Sequence, residues 1–386
     1  MRVALISDVY FPRVNGVSTS IDTFRTELAR QGVDSVLIAP RYGAEPDLDD
    51  VIRLPARPVL RDPEDRLMSF RASLAQGEAL RRRGVDLLHI QTPFVAHYAG
   101  IRLARQLGLP ALATYHTLFE EYLHHYVPLL PRKLTGIVAR GFSRAQCNMV
   151  DQVIAPSQAM QARLTAYGVR SPIEVLPTGI PIQAFAHGER RRFRLKLGIP
   201  EDQPVALFVG RVAHEKNIAF LIDVIEHARA TLPRLLLMIA GEGPAEPSLR
   251  RSVEARGLSD AVRFIGYLDR AEDLPDCYAA ADLFVFASRT ETQGLVLLEA
   301  MAAGLPVLAL ACMGTRSILA PERGACIAPD VVAGFAQQLC RLLIDEVQRA
   351  RLASEARVYA REWSDQTMAS RLALLYRRLI ETRSPN

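Results

Sequence analysis

Short, uninterrupted apolar runs recur along this chain with helix-like stretches between them, and no other feature limits the fold as tightly. In the first half the runs are Val3–Ser7, Ser35–Ala39, Leu87–Gln91, Ala111–Tyr115 and Gln152–Pro156, with helical periodicity in Ser20–Gln31 and Met68–Arg83. A strand that is apolar at every position is buried on both faces, and strands separated by helices run parallel. The second half repeats the pattern. Its predicted strands are Val205–Gly210, Leu235–Ala240, Val262–Ile265, Leu283–Ala287 and Val307–Leu310, and its predicted helices are Asn217–Thr231, Ser248–Arg256, Leu295–Ala303 and Val332–Ile344. A Pro- and Gly-bearing stretch near Pro177–Gly188 reads as the linker, and Val347–Thr382 reads as two helices broken near Trp363–Ser364. The expected fold class is α/β, with two Rossmann-like domains facing one another across a cleft. In such sheets ligands bind beyond the carboxyl ends of the strands, so the loops that follow strands should carry the chemistry.

A length of 386 residues leaves room for two cores. The five cysteines form no CxxC pair, which argues against a zinc ribbon or a thiol-redox motif and suits a reducing compartment. Met1–Asp8 reads as a strand ending in an acid rather than as a signal peptide, and the uncharged stretch Ala300–Thr315 is too short to span a bilayer. The net charge of +5 is carried almost wholly by arginine, because only Lys133, Lys196 and Lys216 are lysine. That excess fits anionic partners. With no recognition motif and no concentrated basic arm, nucleic acid is not expected among them.

Four loops stand out. Asn15-Gly16 permits a tight turn after the first strand, and the helix beginning near Val17 offers backbone N–H groups to an anion. After the first strand of the second half, Arg211 and Lys216 place two cations beside a helix start, where they would neutralise a diphosphate. The scarcity of lysine singles out Lys216. In Ala287–Glu299, Glu291 lies in a strand-following loop, Gly294 and Leu295 open a helix with outward N–H groups, and Glu299 sits a turn along it. His116 ends the fourth strand, so it should point into the cleft. His124 and His125 lack metal-ligand spacing and read as contacts. The bland alternatives are a simple turn at Asn15-Gly16, solvated cations at Arg211 and Lys216, and a structural histidine.

Taken together, these residues resemble the retaining GT-B glycosyltransferases of family 4 over nearly the whole chain. The marks are Asn15-Gly16-Val17, His116, Ser157–Met160, Gly210-Arg211 with Lys216, Ala240–Pro244, and above all Glu291 and Glu299 followed by Ala300–Pro306. The resemblance implies an acceptor-binding domain at residues 1–178, a nucleotide-sugar-binding domain at 179–362, and a C-terminal helix at 363–386 packing back on the first domain. It implies that Arg211, Lys216 and the Gly294 and Leu295 amides hold the donor diphosphate, that Glu291 holds donor-sugar hydroxyls, that Glu299 holds the ribose, and that His116 contacts the donor sugar near C6. The catalytic set is then His116, Glu291, Arg211 and Lys216, and the Asn15-Gly16 loop also belongs to the donor site. Many relatives carry two glycines at Asn15-Gly16 and an aromatic residue at Gln293. Both departures, and the His116-Thr-x-x-Glu-x-Tyr-x-His stretch, look like the diacylglycerol glucosyltransferase branch.

No strand-end DxD is present to hold a metal, so no cofactor and no metal are expected, and fixed positive charge would stabilise the departing diphosphate. Glycosidases that retain configuration use a carboxylate nucleophile. Glu291 is formally one, but the resemblance makes it a sugar ligand and same-face attack the expected route. On a helix over Arg132–Val150, Lys133, Arg140 and Arg144 fall within about 40° of one another, beside an apolar stripe of Leu134, Val138, Phe142, Ala145 and Met149. That suits peripheral binding to anionic lipid at the cytoplasmic face of a membrane, unless the stripe packs on the sheet. The expectation is transfer of hexose from a nucleotide sugar such as UDP-glucose to a lipid such as diacylglycerol. The rivals are a GDP-mannose-dependent mannosyltransferase, a polysaccharide, lipopolysaccharide or phosphoinositide acceptor, and a silent nucleotide-sugar-binding protein.

Overall fold

The computed structural model describes residues 1–46, 48–59, 62–116, 132–270 and 272–383, with the backbone alone at 62–65 and 132–135. Its contacts divide the chain into two units, Met1–Gly179 with Asp365–Asn386, and Ile180–Ser364.

The first unit holds strands β1 (Arg2–Ile6), β2 (Asp34–Pro40), β3 (Val51–Leu54), β4 (Ala56–Val59), β5 (Asp62–Met68), β6 (Leu87–Ile90), β7 (Ala111–Thr114), β8 (Gln152–Ala155) and β9 (Ile173–Val175). Seven of them form one parallel sheet in the order β3-β2-β1-β6-β7-β8-β9. The central strands are apolar throughout because helices cover both faces: Val3, Leu5, Leu87, Leu88 and Leu112 are all at most 1% exposed. The order reverses between β1 and β6, and ligands of doubly wound sheets bind outside such a switch point. Asp8, at the end of β1, ties the two sides of this point together. Its carboxylate accepts from Thr92 Oγ1 at 2.8 Å and from the Ala96 N–H at 3.1 Å, at the start of the helix Val95–Leu107. Burial pushes its carboxyl up to about 6, against the pull of those donors.

The last helix, Asp365–Arg383, belongs to the first unit. Met368, Leu372 and Tyr376 join Val3, Leu28, Leu87 and Leu112 in one buried cluster. The Tyr376 hydroxyl lies 2.7 Å from His89 Nδ1, and His89 Nε2 lies 2.7 Å from Thr114 Oγ1, so the helix is bonded to the middle of the sheet.

The second unit holds β10 (Val205–Val209), β11 (Leu236–Ala240), β12 (Val262–Gly266), β13 (Leu283–Phe286), β14 (Val307–Ala309) and β15 (Ala325–Ile327). They form a parallel sheet in the order β12-β11-β10-β13-β14-β15, with its switch point between β10 and β13.

The parallel α/β reading holds in both units. The antiparallel hairpin β4-β5 and the strands β3, β9 and β15 were not expected, and Met68–Arg83 is two short helices, Phe70–Leu74 and Gly77–Arg82, rather than one. Ser69 caps the first of these through its hydroxyl and Gln76 offers no side-chain cap to the second, so the periodic stretch breaks between them.

Candidate active site

In the second unit, the loops after β10 and β13 leave adjacent strands at the switch point, and both carry expected site residues. Asn217, with φ 57°, ends a single 3-10 turn over His214–Lys216 and opens the helix Ile218–Ala228. Its side-chain amide donates to the Ala287 carbonyl at 3.2 Å, and the Ser288 hydroxyl donates to the Glu215 carbonyl at 3.3 Å. These stitches bring Lys216 onto Glu291, and the Lys216 ammonium forms an ion pair with Glu291 Oε1. Both side chains remain partly open, at 22% and 16%. Arg211 is exposed one turn earlier in the same loop.

Two features hold this cradle. Gly294 has φ 96° at the start of the helix Leu295–Ala302, a conformation that costs glycine least, and no side chain caps that helix. Of the N–H groups in its first turn, that of Leu297 donates to the Gly294 carbonyl at 3.1 Å. Gly241 lies against the Arg211 loop, and a Cβ there would come within 2.0 Å of the Gly210 carbonyl oxygen. The Ala240–Pro244 motif is therefore backbone packing: the Val212 N–H donates to the Glu242 carbonyl at 2.9 Å, which fixes the loop bearing Arg211.

Glu299 is 1% exposed and meets two partners that sequence reasoning missed. Arg270, from the segment after β12, pairs with its Oε1, and the Tyr278 hydroxyl donates to its Oε2 at 2.8 Å. The carboxylate raises the Arg270 pKa, while burial and Glu299 hold the Tyr278 hydroxyl well above its ordinary value. The Arg270 guanidinium also lies 5.7 Å from the centre of the Phe185 ring. No sequence signal marks either partner, because they reach Glu299 from separate elements.

In the first unit, His116 follows β7 and its Nε2 lies 3.0 Å from Gln91 Oε1, after β6. Burial lowers its pKa to about 4, so the ring is neutral near pH 7. The Asn15 loop needs a correction. Asn15 Oδ1 accepts from the Val17 N–H at 3.0 Å and the Ser18 N–H at 2.9 Å, so two of the N–H groups expected to await an anion are already capped. Gly16 opens that helix with no atom within 4 Å of where its Cβ would stand.

The helix Arg132–Cys147 turns Ala139, Ser143, Gln146, Cys147 and the following Val150 inward. Arg140 and Arg144 are exposed, as are Ile137 at 63% and Val138 at 53%. Val138 and Ala145 of the expected apolar stripe therefore face outward, because the small and polar residues of the opposite face are the ones that fit against the sheet. The Lys133 and Leu134 side chains, and His124 and His125, lie outside the described residues. No helix among the described residues is long and apolar enough to cross a membrane.

Residues 14–184 match the family description Glycosyltransferase Family 4, and residues 189–359 match Glycosyl transferases group 1. The chain is 34% identical to an alpha-monoglucosyldiacylglycerol synthase of Streptococcus pneumoniae, over 80% of this chain and 71% of that one. The chain belongs to the GT-B glycosyltransferases of family 4. This glycosyltransferase is also 29% identical to a GDP-mannose-dependent alpha-mannosyltransferase of Mycobacterium tuberculosis, over 94% and 93% of the two chains. Its fold is similar to that of a sucrose-phosphate synthase from Thermosynechococcus elongatus, at a TM-score of 0.81 and 26% identity, covering 99% of each chain.

Proposed function

We propose that this glycosyltransferase moves a hexose from a nucleotide sugar such as UDP-glucose to the hydroxyl of a lipid such as diacylglycerol, with retention, at an anionic cytoplasmic membrane surface. The observation that carries the reading is the meeting of Lys216 and Glu291 at the β10/β13 switch point, in a loop that leads into the uncapped helix start at Gly294. A cation and the amides of an uncapped helix start suit a diphosphate, and a carboxylate beside them suits sugar hydroxyls. The likeness to the Streptococcus pneumoniae synthase supports the acceptor.

In this reading Lys216, Arg211 and the amides at Gly294 and Leu295 stabilise the diphosphate as it leaves, and need no metal to do so. The acceptor oxygen attacks C1 from the face that the diphosphate departs. The C1–phosphate bond breaks, the new C1–oxygen bond forms, and the acceptor proton passes to the leaving phosphate oxygen. Glu291 orients the sugar, His116 contacts it as a neutral ring, and Glu299 holds the ribose by giving up one of its bonds to Arg270 and Tyr278. Arg140 and Arg144, with Lys133, meet anionic lipid while Ile137 and Val138 enter its interface. A mannosyltransferase using GDP-mannose is the second reading, supported by the Mycobacterium tuberculosis relative, whose likeness spans 94% of this chain.

The test incubates UDP-glucose, GDP-mannose and other nucleotide sugars with diacylglycerol vesicles, with and without EDTA. Expected is a monohexosyl product of α configuration by its anomeric coupling, formed equally in the chelator. A β product would overturn the retaining mechanism. Loss of activity in EDTA that magnesium or manganese restores would overturn the metal-free one.

A further inference from the structure

The first unit contains a cavity of about 30 Å³ at the carboxyl ends of β6 and β7, beside the switch point. Its polar lining includes Gln91, Thr92, His97, His116 and Gln146. His97 is the unusual member. It stands on the first turn of the helix Val95–Leu107 and is 3% exposed, yet among the described residues its buried Nε2 has no hydrogen-bond partner. Buried polar atoms are almost always paired, and one left alone costs the full loss of its hydration. Nothing in the packing of the helix requires an imidazole there, because Ala96, Ala99, Gly100, Ile101 and Leu103 bury the rest of that face.

The neighbouring polar atoms are largely committed. His116 Nε2 donates to Gln91 Oε1, Thr92 Oγ1 donates to Asp8, and Gln146 Nε2 donates to the Pro93 carbonyl at 2.5 Å. With Gln91 accepting, His116 carries its proton on Nε2 and keeps Nδ1 as an acceptor. The space is large enough to admit a water molecule, and so a hydroxyl group. Among the described residues lining it there is no Asp, Glu, Lys or Arg. A phosphate would find no cation there, whereas a hydroxyl both donates and accepts.

We propose that this pocket seats the acceptor hydroxyl, with His97 as its buried hydrogen-bonding partner, and that it takes an uncharged hydroxyl such as that of a diacylglycerol rather than a phosphate-bearing headgroup. The proposal rests on the lipid acceptor proposed above and names where that acceptor binds. His116 lines the same pocket, so the residue assigned to the donor sugar and the seat of the attacking oxygen adjoin. The neutral rings fit an uncharged guest: burial lowers the pKa of both His97 and His116 to about 4.

The test uses the full chain with UDP-glucose and dihexanoylglycerol. His97→Leu removes the nitrogen, and His97→Gln places an amide near the position of Nε2. Loss of one neutral hydrogen bond weakens binding by about five- to tenfold. The leucine variant should therefore raise the KM for dihexanoylglycerol by that factor and lower hydrolysis of UDP-glucose by water by a smaller factor, and the glutamine variant should recover most of the loss. An unchanged KM in the leucine variant means that the cavity holds an ordered water only, and overturns the proposal. Equal loss of transfer and of hydrolysis overturns it as well, because the effect then lies in the fold. If the leucine variant does not fold, the ring nitrogen resonances of His97 in the parent decide: dihexanoylglycerol must shift them and inositol phosphate must not. That readout needs no turnover. A shift in a protein that makes no glycosyl-diacylglycerol would remove the acceptor reading and leave the pocket, whereas no shift in a protein that does make it would remove the pocket alone.

Discussion

Lys216 and Glu291 neutralise one another across two loops, so a donor that binds there must draw the ammonium toward its phosphates. In the mechanism proposed above, the ammonium gains value as charge builds on the leaving group. Lys216→Ala should lower kcat/KM by a factor equivalent to about 2–4 kcal/mol. The check is steady-state transfer by a variant with unchanged circular dichroism, and activity within threefold of the parent would remove Lys216 from the site. Glu299 is a different case. Its side chain is 2% exposed and its charge is met by Arg270. Arg270→Ala would leave a buried carboxylate with only the Tyr278 hydroxyl, at a cost of about 3 kcal/mol in unfolding free energy. A urea melt reads this directly, and an unchanged midpoint would mean that water reaches Glu299 once the guanidinium is gone. Lys216 and Glu291 were legible in the sequence because each sits in a loop directly after a strand. Arg270 and Tyr278 were not, because they lie 29 and 21 residues from Glu299 and only the packing of three elements brings them together.

Among the elements, the helix Arg132–Cys147 shows how a sequence pattern can be read in the right place for an incomplete reason. An apolar stripe beside a basic flank has two outlets, the sheet or the solvent side. The structure turns Ala139, Ser143 and Cys147 inward and leaves Ile137, Val138, Arg140 and Arg144 outward. Small residues let the helix approach the sheet closely, and the larger ones are displaced to the outside. In the membrane reading proposed above, each basic side chain near an anionic surface contributes about 1 kcal/mol before screening. Replacing Lys133, Arg140 and Arg144 together with Gln should therefore weaken binding to anionic vesicles by about 3 kcal/mol at low salt. Co-sedimentation at two ionic strengths measures it. Equal pelleting of parent and variant would return this helix to the surface of a soluble unit. The hairpin β4-β5 was invisible for the opposite reason. Its strands carry Arg57, Pro58, Pro63 and Arg66, and prolines and charges are tolerated only because the hairpin stands outside the main sheet.

At the scale of the whole molecule, acid should act through the histidines buried in the first unit. Burial lowers the pKa of His89 to about 3 and those of His97 and His116 to about 4, against 6.5 when exposed. The unfolded chain therefore binds protons that the folded chain refuses between about pH 4 and 6.5, so stability rises with pH across that window. Asp8 opposes the trend. Its raised pKa, about 6 against 3.8, makes the folded chain hold an extra proton between those values, so its contribution falls as pH rises. Three groups outweigh one, and at pH 5 the net difference is about two protons, or roughly 2–3 kcal/mol per pH unit. The melting temperature should climb from pH 5 to pH 6.5 and then level off. A flat profile would mean that the rings are not held neutral. His89→Gln should flatten part of the slope, since its ring bonds Tyr376 of the last helix to Thr114 of the sheet.

Local pattern was enough for the class of fold. Continuous apolar strands between amphipathic helices admit little besides parallel sheets covered on both faces, and turn residues after those strands marked where Lys216, Glu291, Gly294 and His116 would lie. Those readings depend on neighbours within a few residues, and hydrophobic period and backbone permissiveness are local properties. Three facts depended on the tertiary structure. Arg270 holds Glu299, Tyr376 reaches His89, and His97 faces a cavity with a nitrogen left unpaired among the described residues. Each is set by which elements the strand order brings together, whereas the cap that Asn15 gives its own helix lies within three residues and is local. A carboxylate or imidazole carries no mark in sequence of whether its partner is solvent, a ligand or a residue 287 positions away.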